Sequence, residues 1–188
     1  MLTNVQIEKA LGEGLIRITP FDGSRLGLNF YVLTPLKVVI SKFDTDGLLV
    51  ENTVSLSQRC YSLAPHEQIT VAVEESIQLA DRFFADLICC STCIESGLHI
   101  TCGQIEPHYT KEIRFGLCNM RDYEYVLKPT SEIVKVRFYR IGDEVPIRFD
   151  NTERTSYRDI IERLRGEKDE ALEKAKKIDQ QIKDLSIL

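Results

Sequence analysis

The sequence has no run of about 18 apolar residues, the length a helix needs to cross a bilayer, so no segment is expected to span a membrane. It has no block of lysine and arginine, and its formal net charge is −5, so a polymeric nucleic acid is not the expected partner. Neither a G-x-x-x-x-G-K-[ST] loop nor a G-x-G-x-x-G turn occurs, which removes two common phosphate cradles. Only three histidines are present, and no Ser–His–Asp arrangement follows from them. His66 in "APHEQ" and His108 in "EPHYT" lie in turn-like contexts and are expected to be solvated. The opening "MLTNVQIEKALGEG" shows acids and a helical period instead of the apolar stretch of an export signal. A cytoplasmic location is therefore expected.

There are six cysteines, and without an export signal no disulfide framework is expected. "CCSTC" holds a C-x-x-C spacing, with His99, Cys102 and His108 downstream. A zinc signature needs two spaced pairs of ligands, and the second is missing, so no metal site is expected. These cysteines lie in apolar, strand-like runs, where free cysteine acts as a small hydrophobe.

What is present falls into three parts. Residues 3 to about 14 have a helical pattern, with Thr3 or Asn4 as cap and Val5, Ile7, Ala10 and Leu11 on one face. Gly12 and Gly14 end it. From Ile16 to Tyr139 come short β segments: "LIRIT", "NFYVL", "KVVIS", "GLLVE", "QITVAVEES", "ADLICCS", "HITCGQIE", "EIRFGLC", "YEYVLKP" and "IVKVRFYR". Turn signals separate many of them at intervals of about ten residues, which predicts an all-β barrel or sandwich. No helices alternate with the strands, which argues against a doubly wound fold.

The third part begins near Asp150, giving expected units of 1–149 and 150–188. Its 38 residues from Asn151 hold no proline and one glycine, and they are rich in good helix formers. Ile161, Leu164, Lys168, Ala171, Ala175, Ile178, Ile182 and Leu185 form a heptad seam with one charged interruption. Glu170 with Lys174, and Glu173 with Lys177, add i,i+4 pairs in the favourable order. A long helix follows, either engaging another helix through 152–188 or lying on its own β unit.

One stretch, "IEPHYTKEIRFGLCN" at residues 105–119, reads as a tight hairpin with a glycine, Gly116, inside its second strand. Glycine weakens strands, so its presence there marks close approach by a ligand or another chain, or a working side chain that has been lost.

The order of motifs resembles the dCTP deaminase and dUTPase superfamily over residues 1 to about 141. "MLTNVQIEKALGEGLIRITPFD" is similar to the opening of dCTP deaminases, a helix with D/N-x-x-I-x-x-x-L and then G-x-I-x-I-x-P-F-D. "SRLGLNFYVL" follows where A-S-x-D-L-R-L usually stands. "SGLHITCGQIEPHYTKEIRFGLCN" resembles the third superfamily motif, close to G-L-x-V-x-A-G-x-I-D-x-x-Y-x-G-x-I-x-L-x-L-x-N. The resemblance implies a mainly β, distorted barrel or jelly-roll-like dUTPase-type fold. It also implies homotrimers with deoxynucleoside triphosphate pockets between subunits.

The chain departs from that pattern at chemically important places. Deaminases of the family carry, in the strand after this hairpin's bend, a glutamate that shuttles protons while water attacks C4 of cytosine. Aligned through Ile113 and Asn119, its position is Gly116, which cannot transfer a proton. Glu106 and Glu112 are the neighbouring carboxylates in sequence. Cys90 replaces the arginine of an R-S-S or R-S-G motif, which removes a rigid fork of phosphate donors, while Ser91 and Thr92 keep the hydroxyl pair. Asn29 and Tyr31 replace the usual acid and arginine of the first motif. The glycine-rich, arginine-bearing tail of dUTPases is replaced by the charged helix.

Other pocket elements are kept. Glu106 stands where dUTPases place the aspartate that positions water and the sugar hydroxyl. Tyr109 matches the tyrosine beneath deoxyribose. Gln104 and Ile105 would offer main-chain edges to a base. Asn119 is read as structural. Two functions are compatible with this set. In one, the chain is a catalytically degenerate relative that binds a deoxynucleotide or holds a scaffold. In the other, it is an active enzyme using Glu106, either a dUTP or dCTP diphosphohydrolase or a deaminase. No cofactor is expected, and magnesium would enter only with nucleotide hydrolysis.

Overall fold

The computed structural model describes residues 1–43, 49–57, 59–142, 166–174 and 176. Contacts divide the chain into two units, Met1–Phe149 and Asp150–Leu188, each taken by itself.

Helix α1 spans Asn4–Gly12. The side chain of Gln6 accepts a hydrogen bond from the Thr3 backbone N–H at 2.9 Å, which satisfies an otherwise orphaned donor at the helix start. At the other end Gly14 takes φ +71, the left-handed conformation that glycine reaches without a Cβ penalty. Ile7 and Ala10 are buried, as their spacing predicts. Val5 is not: it is 67% exposed, and Leu2, before the cap, packs into the core in its place. The Leu2 N–H donates to the Phe138 carbonyl at 2.8 Å, so the chain entering the helix is pinned to a strand.

The strands are β1 (Ile16–Thr19), β2 (Tyr31–Val32), β3 (Pro35–Phe43), β4 (Leu49–Ser55), β5 (Tyr61–Leu63), β6 (Gln68–Val73), β7 (Ser76–Leu79), β8 (Phe83–Cys89), β9 (Leu98–Thr101), β10 (Gln104–Ile105), β11 (Arg114–Asn119), β12 (Tyr125–Leu127) and β13 (Val134–Arg140). A short helix, α2 (Ser91–Glu95), follows β8. The strands form four sheets, ordered β1-β7, β10-β8-β13-β2, β4-β3-β6-β11-β9 and β12-β5. The mainly β expectation holds. The barrel expectation does not, since no sheet closes on itself among the described residues. Short strands at regular spacing suit a barrel and an open stack equally, and only the pairing tells them apart.

Inward rows from all four sheets share one core with α1. In the five-stranded sheet Val38, Val71 and Phe115 lie side by side and are buried. In the four-stranded sheet Ala85 and Phe138 do the same. Each large apolar side chain removed from water this way contributes roughly 1.5–3 kcal/mol. Two features escaped the sequence reading. "QITVAVEES" breaks into β6 and β7, and "ADLICCS" ends in α2.

In the second unit residues 166–174 are helical and exposed. Of the heptad seam, Lys168 and Ala171 belong to this stretch. Ile161, Leu164, Ala175, Ile178, Ile182 and Leu185 lie outside the described residues, as does most of the expected helix over 152–188. No described helix is long and apolar enough to cross a membrane.

Candidate functional site

The expected hairpin at 105–119 is not formed. β10 pairs with β8, through Gln104 opposite Asp86 and Ile105 opposite Ala85. β11 pairs with β6 and β9 in a different sheet. Residues 106–113 are therefore a crossing loop between two sheets. Pro107 has no N–H to extend a ladder, and His108 sits at φ 59, so the chain leaves the sheet there. The adjacency of two strands in sequence suggested a pair that the sheets divide.

Gly116 lies opposite Thr101 on β9 and Thr70 on β6. A Cβ at Gly116 would collide with the Thr101 hydroxyl oxygen. The glycine is thus explained within the chain, by close approach of a cross-strand side chain. The Thr101 hydroxyl lies where the first atom of a side chain at 116 would stand.

The crossing loop is tied at several points. The Tyr109 N–H donates to the Glu106 carbonyl at 3.2 Å, and the His108 N–H donates to the Leu79 carbonyl at 3.0 Å. The His108 ring contacts the Asp81 carboxylate, and His66 meets Asp122 at 3.1 Å. Both histidines are more than half exposed, as turn residues should be, but neither stands apart in solvent. The Tyr109 hydroxyl donates to the Glu112 carbonyl at 3.2 Å, and its ring packs against the core. Burial pushes the Tyr109 hydroxyl above its ordinary pKa, so it stays a neutral donor. Glu106 is half-buried, Ile105 is buried and Gln104 is exposed. β10 is an edge strand, which leaves one side of its main chain without a strand partner.

Ser91 and Thr92 are elsewhere. They start α2, beyond the far end of β8 from Gln104 and Ile105, roughly 15 Å along the chain from Asp86. The Thr92 hydroxyl is committed to the Glu132 carbonyl. Cys90, in the place of the family arginine, is buried, and burial raises its thiol to about 11 against the opposing charge of Lys135. Lys135 thus supplies a cation near this corner that sequence reasoning missed; its ammonium rests over the Phe30 ring at 4.4 Å. One chain therefore brings Gln104, Ile105, Glu106 and Tyr109 together and leaves Ser91 and Thr92 apart.

A second missed group is an ionic cluster at the end of the crossing loop. The Lys37 ammonium lies 2.6 Å from Glu112, Arg114 Nε lies 2.8 Å from the other Glu112 oxygen, and Arg114 also reaches Glu51 at 3.0 Å. Lys37 and Arg114 flank Ala72 on β6, whose small side chain leaves room between them. Burial tends to raise the Glu112 pKa, but hydrogen bonds and charge from Lys37 and Arg114 outweigh it and hold the carboxyl below its ordinary value. Glu112 is thus an ionised strut and a poor proton donor at neutral pH. No sequence signal could show this, because positions 37, 51, 72 and 114 meet only through strand pairing.

Buried Asn119 donates to the carbonyls of Leu63, Ala64 and Tyr123 at 3.2, 3.1 and 2.8 Å and accepts from the Arg121 N–H at 3.1 Å. Its role is structural, tying the end of β11 to two loops. A cavity of about 500 Å³, lined by Lys9, Ala10, Leu15, Asp81, Phe83 and Arg140 among others, contains none of the expected site residues. Burial raises the Cys93 thiol to about 12, so like Cys90 it remains protonated inside the fold. The described residues hold no group of three His, Cys, Asp or Glu side chains placed to bind a metal ion.

No family model matches the sequence, and no curated protein matches it. Solved structures do resemble the fold. The 2'-deoxycytidine 5'-triphosphate deaminase from Agrobacterium tumefaciens is similar over 75% of this chain and 48% of its own, with 17% identity and a TM-score of 0.59. A point mutant of the dUTPase from phage phi11 of S. aureus matches over 73% of this chain and 98% of its own, with 9% identity and a TM-score of 0.49. EIAV dUTPase matches over 65% and 98%, with 13% identity and a TM-score of 0.43. The match spans about half the length of the deaminase. The fold of this chain is similar to that half of the deaminase, in agreement with the motif order of its sequence.

Proposed function

We propose that the chain is a catalytically degenerate, dCTP deaminase-like protein. It works as a trimeric deoxynucleotide-binding or scaffold module, and its segment 152–188 engages a helical partner. The observation that carries the reading is the Gly116–Thr101 pair: no carboxylate stands where the resemblance calls for one, and the Thr101 hydroxyl lies where a side chain at 116 would begin. Two others support it. Glu112 is locked between two cations, and Cys90 is buried where a guanidinium would be needed. Retention of Tyr109 and the edge of β10 supports nucleotide binding without chemistry.

The test is incubation of purified protein with dCTP and dUTP, with products separated chromatographically, beside calorimetric titration of both nucleotides. The expected result is no product above background. Heat of binding for either nucleotide favours the binding module; its absence favours the scaffold. Turnover abolished by Glu106→Gln would overturn the reading in favour of an active diphosphohydrolase or deaminase.

A further inference from the structure

In the β10-β8-β13-β2 sheet, Val134, Val136 and Phe138 are buried, as are Phe83, Ala85 and Leu87. Side chains alternate faces along a strand, so Lys135, Arg137 and Tyr139 point away from the core with Phe84, Asp86 and Ile88. Residues in register share a face. Gln104, Asp86 and Arg137 therefore form one outward row, Phe84 and Tyr139 the next, and Ile88 and Lys135 the one beyond.

This face is unusual for one turned to water. Phe84 and Tyr139 stack at 4.8 Å, and Lys135 covers the Phe30 ring at 4.4 Å. All six outward positions of β8 and β13 named above are half-buried. Asp86 and Arg137 stand directly opposite each other, yet no ion pair among the described residues involves either. Arg137 Nε is buried without any hydrogen-bond partner. A buried polar atom left unpaired costs about 1–3 kcal/mol, so its absence of partner calls for an explanation.

We propose that this face is where copies of the chain meet, with the Arg137 guanidinium of one copy paired to the Asp86 carboxylate of the next. The occupant is argued from charge complementarity. One face carries an unpaired cation and an unpaired anion in the same row, so a second copy presents to each the partner it lacks. Aromatic and arginine side chains, here Phe84, Tyr139 and Arg137, are also enriched at interface centres. The inference rests on the oligomeric reading above and names its surface.

The experiment measures mass by light scattering in the full chain carrying Ile178→Asp and Ile182→Asp, so that the heptad segment does not hold copies together. Arg137→Glu and Asp86→Arg should each raise the dissociation constant at least tenfold. The charge swap carrying both should restore assembly. Arg137→Gln, which removes the charge and shortens the side chain but keeps an amide donor, should weaken assembly while leaving the far-UV circular dichroism unchanged, and it stands in should a reversal fail to fold. If the parent protein assembles and these single variants keep its mass, the proposed surface is wrong and the oligomeric reading stands. If the parent is a monomer at micromolar concentration, the proposed surface is wrong; if the chain without the two aspartates is a monomer as well, the oligomeric reading also fails.

Discussion

Gly116 and Thr101 occupy one volume between them. Adding a methyl at 116 forces the threonine hydroxyl aside, and overpacking of this kind typically costs about 1–3 kcal/mol. Thr101 is exposed and can rotate, so Gly116→Ala should fall toward the lower end of that range. With Thr101→Ala the nearest remaining side-chain atom is its Cβ at 3.5 Å, an ordinary contact. The same Gly116→Ala change should then be nearly neutral. A double-mutant cycle in urea measures the difference, and additive costs would show that the glycine is there for another reason. The pair also bears on function. Gly116→Glu by itself is not a fair restoration of a catalytic carboxylate, since Thr101 must be reduced as well.

The crossing loop between β10 and β11 is held at its far end by Glu112. The carboxyl pKa is depressed below the ordinary 4.5, so its contribution to stability is present above the unfolded-state value and is lost as pH falls through the folded one. Glu112→Gln should therefore lower the melting temperature at pH 7, and the gap from the parent should narrow below about pH 4.5 and close in stronger acid. Thermal melts of both proteins across that range decide it. A gap that persists unchanged into acid would mean that the Lys37 and Arg114 contacts to Glu112 do not stabilise the fold. The loop holds Tyr109 through the Glu112 carbonyl, so any nucleotide affinity should fall in parallel.

At the scale of the whole molecule the chain carries two candidate association surfaces, the outward face of β8 and β13 and the heptad segment. The seam of Ile161, Leu164, Ile178, Ile182 and Leu185 is a property of the sequence. Ile178→Asp with Ile182→Asp should abolish association through the helix and leave the melting temperature of the β unit unchanged. Loss of the β unit's transition would show instead that the helix packs on its own domain. With the nucleotide assays, these measurements separate a binding module from a scaffold.

The sequence by itself determined the mainly β class, the N-terminal helix and its glycine stop, and the order of motifs that points to a deaminase-type fold. Each depends on neighbours within a few residues or on a pattern along the chain. Even so, helical spacing did not show where Val5 would point, because the choice between Val5 and Leu2 depends on which strand the helix meets. Tertiary structure decided the rest. It split the expected hairpin between two sheets and set Thr101 against Gly116. It joined Lys37 and Glu51 to Glu112 and Arg114, and it lined up Gln104, Asp86 and Arg137. The reason is the same in each case. Strand pairing brings together residues tens of positions apart, and no local periodicity records which strand a given strand will choose.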